Sequence, residues 1–239
     1  MEKERLDKIL AGSGMFTRSQ AKTLIQTGGV TVDGVVVRKP ETKIRRDCRV
    51  IAGGRPVDTA EFVYYMMNKP AGYISATEDG QHYPAVTSLL PKHLQARGLF
   101  PVGRLDVDVT GLLILTDDGA FAHRITAPRS EITKTYAVEV DGPLSEADVT
   151  ALAVGVTLAD GTVYRPAVLH IDPADPRRGT VTVTEGKFHE VKNLLASRNR
   201  PIQAMKRVFI GALPLDESLP FGAIRPLQKE ELDRMLLEF

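Results

Sequence analysis

Four carboxylates fall within the thirteen residues from Asp106 to Asp118 of this 239-residue chain. Clustered aspartates can supply a nucleophile or a proton-transferring group, or serve only as caps and turn residues. Asp117 and Asp118 have the simplest account. They precede a helical stretch, where aspartate oxygens accept free amide protons and favour the positive end of the helix dipole. Asp106 and Asp108 stand ahead of the apolar run Leu112-Leu113-Ile114-Leu115 with no helix to cap, and Arg104 lies close by. Spacing alone does not choose between these two; a surface turn would explain either.

The elements that must position these residues follow from periodicity and turn signals. Leu112–Leu115 reads as a buried strand, and Ala120–Thr126 as a helix ended by Pro128. Upstream, Phe62–Met67 reads as a buried strand, Asn68–Gly72 as a turn and Tyr73–Ser75 as the returning strand. Residues 77–98 read mostly as loop, with a short helical piece near Val86–Leu90. Downstream, Thr135–Val140 is a strand, and a helix begins after Ser145 and stops at Gly155. Strands follow at Val156–Leu158, Val163–Tyr164, Ala167–Ile171 and Val181–Thr184. His189–Arg198 reads as a helix, Ile202–Ile210 as a strand and Lys229–Leu237 as a terminal helix. The sum is an α+β fold with a mixed, mainly antiparallel sheet.

The first sixty residues differ in kind. They hold 12 Lys and Arg against 7 Asp and Glu, a surplus of five, whereas the remainder holds 19 against 23. A basic head on a mildly acidic body points to an anionic partner, of which nucleic acid is the commonest. Leu6, Ile9 and Leu10 fall at helical spacing with Arg5 and Lys8 on another face. A second helix runs from Arg18 to Gln26 with Thr17 as its cap, and places Arg18 and Lys22 on one side. Val30–Val37 around Asp33-Gly34 carries a strong hairpin signal. Residues 53–61 read as a linker, which divides the chain into a head of residues 1–57 and a body of residues 58–239.

Composition excludes several classes. One cysteine, Cys48, permits no intramolecular disulfide and no Cys-x-x-Cys site, which suits a reducing cytoplasmic setting. No window of eighteen apolar residues exists, and the N-terminus MEKERLDKIL lacks an apolar signal core. His189 has no metal-ligand companions at suitable spacing. We therefore expect a cytoplasmic protein with no membrane association; we also expect no metal, no organic cofactor and a monomer, which composition by itself does not fix.

Two resemblances sharpen this picture. The run R-L-D-K-x-L-A followed by S-R-S-Q-A-K-T-L-I-Q-T-G-G-V-T-V-D-G, over residues 3–50, resembles the small RNA-binding domain named after ribosomal protein S-four. The likeness implies that Arg5, Lys8, Arg18 and Lys22 touch RNA backbone, which positions a protein without reading sequence. In the body, G-R-L-D and then G-L-L-I-L-T-D-D-G, Lys134-Thr135-Tyr136, and E-G-K-F-H-E-V-K-N-L-L in order resemble the three motifs of the bacterial ribosomal pseudouridine synthases. Three ordered motifs with an appended domain are far more specific than any single one.

The second resemblance implies an isomerase that converts uridine to pseudouridine. Asp106 matches the family's catalytic aspartate, and Lys192 its basic partner. Tyr136 offers a ring face for the uracil and a hydroxyl near the proton to be moved. Arg104 is a further candidate, holding phosphate or filling the gap left by a base that leaves its stack. Two departures stand out: Val109 occupies a position where the family usually carries Ser or Thr, so that either Thr110 supplies the hydroxyl or the hydroxyl is dispensable, and Asn193 replaces a common basic residue. Residues 155–171 and the K-F-H-E-V-K stretch resemble the branch that modifies one uridine of the small-subunit 16S rRNA, uridine 516 in conventional numbering. The expected partner is thus ribosomal RNA or a small-subunit assembly particle. A synthase acting on 23S rRNA, a non-catalytic RNA-binding assembly factor and a carboxylate glycosidase are the alternatives. The absence of Trp removes the aromatic platform the last would want.

Overall fold

The computed structural model describes residues 3–127 and 129–236 and divides into two compact units. One comprises residues 1–63 together with 90–100, the other residues 64–89 and 101–239.

In the first unit, helix α1 (Leu6–Gly12) and helix α2 (Arg18–Gln26) lie beside strands β1 (Val30–Val32), β2 (Val35–Val36), β3 (Val50–Ala52) and β4 (Arg55–Val57). Leu6, Ile9, Leu10, Ala21, Ile25, Val30, Val50 and Ala52 form their shared core, as the apolar spacing of both helices requires. Thr17 caps α2 in a reciprocal box: its Oγ1 accepts from the Gln20 amide at 3.2 Å while Gln20 Oε1 accepts from the Thr17 amide at 2.8 Å. The β1–β2 turn has Asp33 and Gly34 both at positive φ, 50° and 83°, as a type I′ hairpin demands.

Residues 53–61 are not a free linker. Gly53 and Gly54, both at positive φ, form the tight turn that pairs β3 with β4, so residues 53–57 belong to the head's own sheet and residues 58–61 group with the same unit. A further helix, α3 (Lys92–Arg97), groups with this unit although it lies within the stretch read as loop. Arg97 donates to the carbonyls of Ala60 (2.9 Å) and Glu61 (3.1 Å), and the Gly14 backbone packs directly on that of His93.

The second unit is built on one sheet of strands β5 (Tyr64–Lys69), β6 (Thr110–Thr116), β7 (Lys134–Val140), β8 (Val168–Ile171), β9 (Arg178–Val183), β10 (Ile202–Ile210) and β11 (Ile224–Pro226). Their spatial order is β8-β9-β7-β10-β6-β5-β11. All neighbours are antiparallel except β10 and β6, which run parallel through Lys206 opposite Thr110 and Arg207 opposite Gly111. Strand β6 is buried from Gly111 to Thr116, which explains its unbroken apolar run in place of an alternating one. At the parallel junction a Cβ on Gly111 (φ 101°) would lie 2.3 Å from the Arg207 carbonyl oxygen, so only glycine allows these two strands to meet.

Several local expectations are corrected. Tyr73–Ser75 does not return beside β5; Ile74 forms only an isolated bridge to Ala85, and β5 pairs with β6 and β11. Strand β5 extends through Asn68 and Lys69, which read as turn residues in sequence. Residues 86–89 form a single 3-10 turn. The helix expected from His189 spans Glu190–Ala196, hereafter α4, because His189 itself adopts a left-handed conformation (φ 53°, ψ 25°) at its N-cap. The terminal helix covers Lys229–Arg234; the expected end at Leu237 lies outside the described residues. Asp118 caps the helix at Gly119–Thr126, accepting from the Phe121 amide at 2.9 Å and from the Tyr64 hydroxyl at 2.7 Å.

Candidate active site

Asp106 lies in the turn between Gly103 and β6, and two neighbours from elsewhere in the chain fix its backbone. Ser75 Oγ accepts from the Leu105 amide at 2.9 Å and donates to the Leu105 carbonyl at 3.0 Å. Lys69, fully buried at the end of β5, donates its ammonium to the carbonyls of Pro70 (3.0 Å), Asp106 (3.0 Å) and Val109 (2.8 Å). An ammonium has three protons, and all three are directed at backbone oxygens; the Asp106 carbonyl also accepts from the Val109 amide at 3.2 Å. Burial lowers the Lys69 pKa to about 8 even though Asp108 and Asp106 favour its charge.

The carboxylate of Asp106 borders a cavity of about 130 Å³. A space of this size suits a single ring-sized group; drug-sized ligands occupy several hundred cubic ångströms. Arg104, Lys134, Tyr136, His189, Lys192 and Arg207 also line it. The two aspartates that sequence could not separate are thereby distinguished. Asp106 borders the cavity with its side chain 29% exposed, whereas Asp108 lies outside the lining at 64%.

Lys192, on α4, serves both. Its Nζ lies 2.9 Å from Asp106 Oδ2 and donates to Asp108 Oδ1 at 2.8 Å and Oδ2 at 3.0 Å. Burial works against the Lys192 charge, but the Asp108 and Asp106 carboxylates outweigh it and raise its pKa. Burial likewise opposes ionisation of Asp108, and the hydrogen bond from Lys192 reverses that and holds its carboxyl below the usual range. His189 Nε2 approaches Asp106 Oδ2 at 3.3 Å from the same helix end. The loop before it is held by Glu190, whose carboxylate accepts from the amides of Gly186 (2.6 Å) and Lys187 (3.0 Å).

The far wall comes from β7 and β10. Tyr136 and Arg207 are direct cross-strand neighbours, and both are more than nine-tenths buried. Arg207 Nε donates to the Leu112 carbonyl at 2.8 Å, tying β10 to β6 across the parallel junction. Lys134 sits two residues before Tyr136 and therefore on the same sheet face. Its pKa is lowered to about 8 by burial and by repulsion from Arg207, against the pull of Glu190. Thr110 does not supply the hydroxyl that Val109 lacks. Its Oγ1 faces the Met205 carbonyl at 3.4 Å, while Val109 is buried and contributes its carbonyl to Lys69. Asn193 turns to the Tyr164 hydroxyl, donating at 2.7 Å.

In the head, Arg5, Arg18 and Lys22 surround the fully buried Asp7. Arg5 clamps its carboxylate in a bidentate pair (2.9 and 3.0 Å) and Arg18 approaches at 3.7 Å. The hydrogen bonds from Arg5 lower the Asp7 pKa, with Arg18 and Lys22 adding to the effect. Lys8 pairs instead with Glu4 one turn away. Sequence reasoning missed Lys69 and Arg207, and did not single out Lys134 beyond its motif. Their one available signal was a cation inside an otherwise strand-like run.

An aspartate on the turn before β6, a lysine from a helix and a tyrosine from β7 thus meet at one cavity on the mixed sheet. The family model described as RNA pseudouridylate synthase matches residues 63–197, more than half of the chain, and the S4 domain matches residues 4–50. The chain belongs to the RNA pseudouridine synthase family. Among its relatives, an uncharacterised RNA pseudouridine synthase of Bacillus subtilis is 38% identical over 231 residues, covering 95% of this chain and 96% of that protein. The ribosomal small subunit pseudouridine synthase A of Escherichia coli is 37% identical over 230 residues, covering 95% and 98%. A crystal structure described as a pseudouridylate synthase superposes with a TM-score of 0.68 at 34% identity, over 97% of this chain and 99% of that one.

Proposed function

We propose that the protein isomerises one uridine of small-subunit rRNA, uridine 516 in conventional numbering, to pseudouridine. The observation that carries the chemical part is the Asp106–Lys192 pair at the edge of a ring-sized cavity walled by Tyr136. The choice of rRNA is supported by the likeness to the small-subunit synthase of Escherichia coli along nearly its full length.

The reaction breaks the bond from ribose C1′ to uracil N1, turns the base and joins C1′ to C5. The C5 proton leaves and N1 gains one, so nothing is consumed. Asp106 acts at the sugar, by attack on C1′ or by removal of the C2′ proton. Lys192 keeps this carboxylate charged as the site closes around the base and water is excluded. Tyr136 packs against the uracil, with its hydroxyl near the migrating proton. Lys69 and Ser75 act earlier, by holding the Asp106 backbone still. Arg104, exposed on the rim of the cavity, contacts the RNA backbone or the gap left by the flipped uridine.

The head supplies grip, through Arg5, Arg18 and Lys22 around Asp7 and through Lys8. We further propose that the protein works as a monomer in the cytoplasm, on rRNA or a small-subunit assembly particle. No helix among the described residues is long and apolar enough to cross a membrane. The decisive experiment incubates the protein with transcripts of 16S and 23S rRNA carrying tritium at uridine C5. Tritium release from the 16S transcript alone is expected. Release from 23S alone would redirect the substrate, and release from neither would leave an RNA-binding assembly factor.

A further inference from the structure

Phe188 is the most exposed aromatic side chain among the described residues, at 76%. It does not hang free. Its ring stacks on the imidazole of His189, with centroids 3.7 Å apart and planes inclined by 23°. Consecutive side chains point apart in an extended chain. The left-handed backbone of His189 (φ 53°), a conformation uncommon outside glycine, lets these two stack. His189 in turn reaches Asp106 Oδ2 at 3.3 Å, so the stack begins at the candidate catalytic carboxylate and ends in solvent. Phe188 is not part of the cavity lining, while Lys187 and His189 on either side of it are.

Lys187 and His189 flank Phe188: the Lys187 ammonium is held by Glu185 at 3.0 Å and donates to the Val163 carbonyl at 2.7 Å, while the imidazole backs the ring. A flat aromatic face, open to solvent on one side and beside a cavity lined by Arg104, Lys134 and Lys192, is the usual kind of platform for an unstacked nucleobase.

We propose that Phe188 is a stacking platform for the nucleobase next to the target uridine, outside the pocket that receives the uridine itself. The proposal rests on the reading of the Asp106 cavity as the uridine site. When the uridine leaves its stack, a neighbouring base loses one stacking partner, and Phe188 replaces it. His189 backs the ring and holds its orientation.

The test uses full-length protein and a 16S transcript with 2-aminopurine at each nucleotide flanking the modified uridine. Stacking on Phe188 should quench one of these probes in the wild-type complex. Phe188→Ala should remove that quenching and weaken binding about five- to a hundred-fold. Phe188→Trp should restore both and Phe188→Leu neither, because leucine keeps the apolar surface without the ring face. The dependence of affinity on salt should be unchanged in all three, since stacking displaces no counterions. Wild-type affinity and quenching in Phe188→Ala, or full rescue by leucine, would overturn the proposal. Wild-type protein that binds the transcript but forms no pseudouridine would overturn the catalytic reading, and with it the placement beside a target uridine.

Discussion

One lysine bridges the two aspartates: Lys192 Nζ lies 2.9 Å from Asp106 and 2.8 Å from Asp108. Only Asp106 also borders the cavity, so the pair has an inner member positioned to react and an outer member positioned to hold the lysine. Asp106→Asn exchanges a charged oxygen for an amide of the same shape. It should lower single-turnover pseudouridine formation by about a thousand-fold or more, with RNA affinity nearly unchanged. Asp108→Asn should retain most of the rate. The reverse pattern would assign the chemistry to Asp108.

Lys192→Met keeps much of the stem and removes the charge. Its single-turnover rate should fall roughly ten- to a hundred-fold, while transcript affinity changes little. Lys192→Arg should recover part of the rate by keeping a cation near Asp106. Equal rates for Lys192→Met and wild type across the pH range would remove this residue from the mechanism.

Lys69→Met removes the ammonium that three carbonyls share at the turn that carries Asp106, leaving the Asp106 carbonyl with only the Val109 amide. A loss of about 2–4 kcal/mol in urea unfolding is expected, together with slower turnover in the fraction that stays folded. A variant as stable and as fast as wild type would show that the turn holds itself.

Lys134 gives a pH signature whose sign is fixed. Its pKa is about 8 in the folded protein, against about 10.4 in an unfolded chain. Between these values the unfolded chain binds the extra proton, so stability rises with pH, by at most about 1.4 kcal/mol per unit for this group. Below pH 8 both states are protonated and the effect of this group levels off. Lys134→Met should therefore flatten the climb in urea midpoint between pH 8.5 and 10. An identical pH profile in both proteins would place the proton elsewhere.

For the head, the pair Arg18→Gln and Lys22→Gln is a cleaner test than removal of residues 1–57. Residues 90–100 group with the head, so truncation would strip α3 of its packing partners. Each lost phosphate contact should reduce the slope of log affinity against log salt by about 0.7 on single-stranded RNA. Turnover at saturating transcript should persist. An unchanged slope would mean that this face does not hold RNA.

What the sequence determined by itself is local or carried by motif. The Thr17 cap, the Asp33-Gly34 hairpin and the Asp118 cap each depend on a few adjacent residues whose backbone preferences agree with the fold. The G-R-L-D, K-T-Y and H-E-V-K motifs singled out Asp106, Tyr136 and Lys192, which the tertiary structure brings to one cavity. Tertiary structure alone decided how that cavity is held together. Lys69 reads as a turn cation, because lysine is almost never fully buried unless its charge is met. Its partners lie 37 and 40 residues away, on a turn whose placement depends on the pairing of β5 with β6. Arg207 became a wall of the site only through the parallel junction of β6 and β10 at Gly111, a pairing between residues almost a hundred positions apart. The choice of strand partners is a long-range contest settled by burial, and periodicity within one segment carries no record of it.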